Sequence, residues 1–197
     1  MIIAQQKRRE SIVEYMLYMW QVEDLIRANA LDMKRIESTV ICKYQVSDEQ
    51  RKAIYDWWDN LVAMMRNERK EQRGHLQVVV GLMNDVYNYH LYLLTQPTEL
   101  PYQNAFQTAW PDLSLLAEKI PGGDKLHHIE LALTALYDYF LLKLQGRIVL
   151  ADTTNAVMRI SRFMAMLSTK YLAAERELNK EPDTNADGTL NAVNTTK

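Results

Sequence analysis

The sequence predicts an all-α protein, a single-domain multi-helix bundle of about six or seven mostly antiparallel helices with a disordered C-terminal tail. Glycine and proline are scarce, at six and five residues, and they fall between long segments. Within those segments apolar residues recur at three- and four-residue spacing, which is the helical period. With 197 residues, of which 48% are hydrophobic, the chain has the size and composition of one domain with its own core.

The first half of the chain predicts three helices. The first spans about residues 4–30 and is apolar most of the way round, which places it centrally in the bundle. A shorter helix follows over about 32–43. Ser47 and Gln50 have the spacing of a capping box and open the third helix. Gly74 is expected just beyond its end, since glycine favours that position.

The middle of the chain predicts two more helices separated by a proline-rich loop. Residues 75–95 show an apolar seam that steps by four and three, as in antiparallel bundles. Pro97 and Pro101 bracket the loop. Pro111 is expected at the first position of a short helix that ends near residue 119, because that position needs no backbone N–H.

Two further helices complete the predicted bundle domain, residues 1–179. Asp124 is expected to cap the first of them, and Gly146 lies near its end. The last helix is expected to start at Asp152. Residues 180–197 are rich in Asn, Asp and Thr and predict a flexible polar tail that cannot bury a core.

Charge and cysteine content indicate where the protein works and with what. The formal net charge of -2 offers no electrostatic footprint, so we expect neither nucleic acid nor a membrane as partner. The single cysteine, Cys42, rules out an intramolecular disulfide and fits a reducing compartment. The N-terminus lacks the apolar run of a signal peptide. We therefore expect a cytoplasmic protein.

Glu23 and Asp24 are the first candidates for chemistry. Helical spacing places Glu23 among apolar residues of the first helix, where a carboxylate is desolvated and needs a partner. Arg27 follows four residues after Glu23 and three after Asp24. A structural ion pair with Arg27 is the favoured interpretation, and a catalytic or metal-binding role is the alternative.

A metal site in the core is the second candidate, because imidazole and carboxylate groups from facing helices can hold zinc, iron or manganese. The core candidates are Glu23, Asp24, His90, His127 and His128, with His75, Asp85, Glu130 and Asp138 as further donors. The Glu-x-x-His pattern of di-iron bundles does not occur, and His127 to Glu130 gives only the reversed order. A hydrogen-bonded core histidine is therefore the favoured interpretation of His90.

The tail contains a third candidate, a weak calcium loop over residues 183–194. Asp183, Asn185 and Asp187 stand at the positions of oxygen ligands in an EF-hand-type loop, and Gly188 stands at its sharp turn. Asn194 occupies the twelfth position in place of the bidentate glutamate. The alternative interpretation is a solvated low-complexity segment.

Four places in the chain resemble an uncharacterised all-helical family of Bacteroidetes bacteria, known as a domain of unknown function. They are residues 14–27, residues 74–77, residues 135–137 with 141–145, and Ile160, Phe163 and Tyr171 in the last helix. The resemblance covers about residues 1–175. It implies a cytoplasmic bacterial helical bundle and brings no activity, cofactor or catalytic residue.

The leading functional hypothesis is a non-enzymatic helical protein that acts through protein–protein contact or self-association. Helices rich in Met, Trp and Tyr favour it, and the chain contains neither a Gly-x-Ser-x-Gly elbow nor a phosphate-binding loop. The alternatives are a metal- or small-ligand-binding bundle that uses Glu23, Asp24 and the histidines, and weak calcium binding by the tail. No cofactor is implied.

Overall fold

The structure is a computed structural model that describes residues 2–179. This part of the chain contains eight α-helices and no β-strand, which confirms the all-α prediction. The helices are α1 (Ile2–Glu10), α2 (Ile12–Ala28), α3 (Met33–Thr39), α4 (Asp48–Asn67), α5 (Gln77–Thr95), α6 (Leu100–Lys119), α7 (His128–Leu144) and α8 (Ala151–Leu178). Short 3-10 turns lie at Ile41–Lys43, Pro97–Glu99 and Gly123–Lys125.

Helix α2 occupies the centre of the bundle. It packs against α1, α5, α7 and α8, and eight of its seventeen residues are buried. Helices α5, α6, α7 and α8 pack against one another on one side, with α6 against α8 as the most extensive pair. Apolar residues on most sides of α2 therefore pack against neighbouring helices, as the sequence predicted.

The predicted first helix, residues 4–30, is in fact two helices that meet at Ser11. Ser11 has an extended backbone, and its hydroxyl accepts a hydrogen bond from the Glu14 N–H, so it caps α2. The buried Ser168 hydroxyl of α8 accepts from the Ile12 N–H at 3.0 Å. These two hydroxyls satisfy N–H groups that a continuous helix would bond internally, and the break is therefore stable.

The predicted proline loop is also wrong. Helix α6 begins at Leu100, with Pro101 in its first turn, and Pro111 lies inside the helix. Pro101 fits because an N-terminal helical position needs no N–H. Pro111 is solvent-exposed, so water can bond the carbonyl that the missing N–H leaves free.

Two predicted helix ends require correction. Helix α4 ends at Asn67, and Arg69, with φ 56°, is the left-handed residue just after it. Gly74 also has a positive φ, 81°, but lies farther from the end of the helix. Residues 68–76 consequently form a separate irregular segment between α4 and α5. Helix α7 is capped by His127, whose ring accepts from the Glu130 N–H, and not by Asp124.

Other predicted ends are confirmed. Ser47 and Gln50 form both hydrogen bonds of the capping box at the start of α4. Gly146 lies just beyond α7, and α8 begins at Ala151, one residue before the predicted start. Across residues 2–179, no helix has both the length and the apolar character needed to span a membrane.

Candidate functional site

Glu23 fastens the 68–76 segment to α2. Its side chain is fully buried, and its two carboxylate oxygens accept from His75 Nδ1 at 2.6 Å and from the Leu76 backbone N–H at 2.9 Å. Trp20 stacks on the His75 ring with a centroid distance of 4.2 Å. Both donors belong to the start of α5, so the buried carboxylate is satisfied by a segment about fifty residues away in the chain.

Arg27 pairs with Asp24, which confirms the favoured ion pair for Asp24, and not with Glu23, for which the prediction is wrong. The distance from Arg27 Nη1 to Asp24 Oδ1 is 2.8 Å, and the Tyr137 hydroxyl donates to Asp24 Oδ2 at 2.6 Å. Arg27 also donates to two backbone carbonyls of the 68–76 segment. Burial, followed by the hydrogen bond to Asp24, raises the pKa of Tyr137. The two acidic neighbours therefore have separate structural partners.

His90 lies at the centre of a buried hydrogen-bonded chain. Its Nδ1 is 2.6 Å from the Tyr102 hydroxyl, and its Nε2 is 3.0 Å from His128 Nδ1. The Tyr102 side chain is fully buried and has no other hydrogen-bond partner within residues 2–179. Its O–H must therefore donate to His90 Nδ1, which leaves the proton of His90 on Nε2, donated to His128.

The histidines of this cluster are neutral near pH 7. Burial, aided by the nearby His128 and His127, lowers the pKa of His90 to about 3. Burial also lowers the pKa of His127 and of His128. His127 stacks on Tyr87 at a centroid distance of 4.2 Å, and its Nε2 is buried without a hydrogen-bond partner in the described part of the chain.

The structure brings together only some of the predicted metal ligands. His90, His127 and His128 form one cluster, whereas Glu23 and Asp24 belong to the network around His75 and Arg27. Among residues 2–179, no three His, Cys, Asp or Glu side chains are arranged to hold a metal ion. The calcium candidates Asp183, Asn185, Asp187 and Asn194 lie outside the described residues, and that site remains a prediction.

A groove of about 580 Å³ opens between α6, α7 and α8. Its apolar walls are formed by Leu115, Leu116, Ala135, Tyr139, Leu142, Ala156, Val157 and Ile160. The groove also contains three aspartates. Asp112 is held by Arg159 through two hydrogen bonds, of 2.7 and 2.9 Å. Asp138 is solvent-exposed and has no such partner within residues 2–179, and partial desolvation by the groove walls raises its pKa.

The connection between α7 and α8, residues 145–150, projects apolar side chains into solvent; we name it the α7–α8 turn. Its backbone is fixed by a Schellman motif, in which Gly146 N–H bonds Lys143 O and Arg147 N–H bonds Leu142 O, both at 3.0 Å. Gly146 takes the required left-handed conformation, with φ 67°. Ile148, which directly follows this motif, is nevertheless 98% exposed.

Exposed apolar side chains also lie directly beside Ile148. Thirteen large hydrophobic residues within 2–179 are exposed, and Leu144, Ile148 and Leu150 are three of them. A concentration of this kind marks an interaction surface more often than scattered apolar residues do.

A family model described as Domain of unknown function (DUF4924) matches residues 1–178. The chain belongs to this family. The match confirms the expected domain of unknown function and carries no activity with it. No curated protein and no solved structure matches the chain.

The sequence interpretation missed two features of this DUF4924 domain. The role of His75 as partner of Glu23 depends on packing between distant helices, which no local spacing reveals. The α7–α8 turn did leave a signal, because Ile148, Val149 and Leu150 follow the helix-ending Gly146 after one residue, Arg147. Three consecutive apolar residues in a connection, where polar residues are usual, indicate a surface that contacts something.

Proposed function

We propose that this protein is non-enzymatic and functions by self-association, with the α7–α8 turn packed against a second copy of the chain. The 98% exposure of Ile148, directly after the hydrogen-bonded Gly146 and Arg147, carries the proposal. Any contact that buries an exposed apolar side chain lowers the free energy, because it removes apolar surface from water. Leu144 and Leu150, each 73% exposed, flank it and would be buried by the same contact.

A second copy is the favoured occupant because this face is complementary to itself. It presents a projecting apolar turn and, directly beside it, an apolar groove, with Leu142 before the turn and Asp152 after it among the groove residues. A two-fold axis between two such faces places each turn against the other copy, which is the usual arrangement of homodimers.

Light scattering coupled to gel filtration tests the proposal with the full chain. We expect a mass near twice 23.0 kDa at high protein concentration and near 23.0 kDa on dilution. Ile148→Ser should remain monomeric at concentrations where the wild type associates. Leu100→Ser is the matched control, because Leu100 is also exposed, at 60%, but lies at the start of α6, outside the groove. A wild type that is monomeric throughout contradicts the proposal.

We further propose that the protein works in the cytoplasm of a Bacteroidetes bacterium. The resemblance of residues 14–27 supports the source, and Cys42, an exposed free thiol, suits a reducing compartment. Fractionation of such a cell, followed by immunoblotting for the endogenous protein, tests the location. Recovery in the envelope fraction would contradict it.

A further inference from the structure

We propose that, in the dimer, the α7–α8 turn of each copy enters the groove between α6, α7 and α8 of the other copy, where Arg147 pairs with Asp138. This inference rests on the proposed self-association and specifies its contact. Four observations support it: the apolar lining of the groove, the opposite charges of groove and turn, the hydrogen bonds at both ends of the turn, and the adjacency of turn and groove.

The groove has the chemistry that the turn requires. Leu115, Leu142 and Val157 contribute to walls that are mostly apolar, around a space of about 580 Å³. Ile148 and Leu150 are aliphatic side chains exposed to water. Their insertion would remove apolar surface from water on both partners, which is the main favourable contribution in such contacts.

The charged side chains of the groove are acidic on balance, whereas the turn is basic. The groove is lined by Asp112, Asp138, Asp152, Lys119 and Arg159. Arg159 pairs with Asp112, and Asp138, Asp152 and Lys119 have no ion pair with any residue of 2–179. Arg147 is exposed in the turn, beside Ile148, and likewise has no ion pair in this part of the chain. Partial desolvation already disfavours the charged form of Asp138, so an arriving guanidinium would stabilise it.

Hydrogen bonds at both ends of the turn favour contact with a second copy over insertion into its own groove. The N–H groups of Gly146 and Arg147 are bonded to carbonyls of the last turn of α7, and Leu150 O accepts from the Thr154 N–H as α8 begins. Folding the turn back would break these bonds. Contact between two copies keeps them and forms both turn-in-groove contacts by symmetry.

A charge swap in full-length protein tests the contact. Arg147→Glu and Asp138→Arg should each weaken homodimerisation by about tenfold or more, because each homodimer then contains two like-charge pairs. An equimolar mixture of the two variants should form heterodimers, because both pairs then have opposite charges. Lys43→Glu, an exposed charge reversal in the turn after α3, is the matched control and should associate like the wild type. Two distinguishable affinity tags and native mass spectrometry report which chains associate.

The outcomes separate this inference from the proposed function. A wild type that dimerises, with both variants dimerising equally well, overturns the turn-in-groove contact and leaves self-association standing. Weakened single variants that fail to recover on mixing overturn the Arg147–Asp138 pair. A wild type that remains monomeric, with or without a small molecule retained in the groove, overturns the proposed function and this inference together.

Discussion

Replacement of Glu23 by alanine should destabilise the fold more than any other carboxylate substitution in the described part of the chain. The change removes the acceptor for two donors at the start of α5, His75 Nδ1 and the Leu76 N–H. Leu76 is fully buried, so water cannot replace the lost oxygen at its N–H without entering the core. The 68–76 segment would lose one of its main attachments to α2.

The magnitude follows from the two hydrogen bonds. A buried donor left without an acceptor costs about 1–3 kcal/mol, and a bond to a charged acceptor lies toward the upper end of that range. Glu23→Ala should therefore lower the free energy of unfolding by about 3–5 kcal/mol. Glu23→Gln should cost only about 1–2 kcal/mol, because the amide oxygen still accepts from Leu76 and the amide NH₂ can donate to His75 Nδ1 in the tautomer with its proton on Nε2.

Urea unfolding followed by tryptophan fluorescence measures these changes, since Trp20 stacks on His75. Asp24→Asn is the matched control. Its carboxylate is exposed, and the expected loss is about 1 kcal/mol or less. All variants are compared at one protein concentration, because self-association also adds stability. A Glu23→Gln variant more stable than the wild type would refute the structural role, since residues retained for function often reduce stability.

Two further predictions concern the histidine cluster and a glycine pair. Because the folded-state pKa of His90 is lowered from 6.5 to about 3, the unfolded chain binds the proton first, and stability should fall as pH decreases through that interval. His90 should account for a loss of about 2 kcal/mol of unfolding free energy at pH 5. In urea titrations at pH 7 and pH 5, His90→Gln, which cannot titrate, should lose less unfolding free energy between the two pH values than the wild type. An equal loss would contradict this assignment. Gly123→Ala should lower the melting temperature much more than Gly122→Ala. A Cβ at residue 123 would lie 2.3 Å from the Ala117 carbonyl oxygen. A Cβ at residue 122 would contact no atom, and the substitution costs only about 1 kcal/mol because of the positive φ there. Equal decreases in melting temperature for the two variants would contradict this packing.

Local rules predicted the helices well and their interruptions less well. The capping box of Ser47 and Gln50 involves residues three apart, so the sequence contains all of it. The break at Ser11 depends partly on Ser168, which is 157 residues away. The sequence predicts a helix start at Pro111, because proline favours the first helical position. In the structure Pro111 lies inside α6, on a solvent-exposed face where its missing N–H is tolerated. Tertiary context decides such cases.

The candidate site shows the same division. The apolar face of α2 predicted a desolvated Glu23, and the side chain is indeed fully buried. Helical spacing predicts Arg27 as its partner, but His75 of the irregular 68–76 segment donates to the carboxylate instead. The groove requires three helices to pack, so no linear pattern predicted it. Hydrophobicity alone did not show that Ile148 is exposed, because apolar residues are usually assigned to cores.

Amide hydrogen exchange of the wild-type protein at low and high concentration tests the self-association interface most directly. Association protects only the backbone that it covers or stabilises. The proposed interface predicts slower exchange at high concentration in residues 145–160 and in the groove walls of α6 and α7, with residues 33–44 unchanged. Exchange that is independent of concentration, or protection confined to another face, would contradict the account.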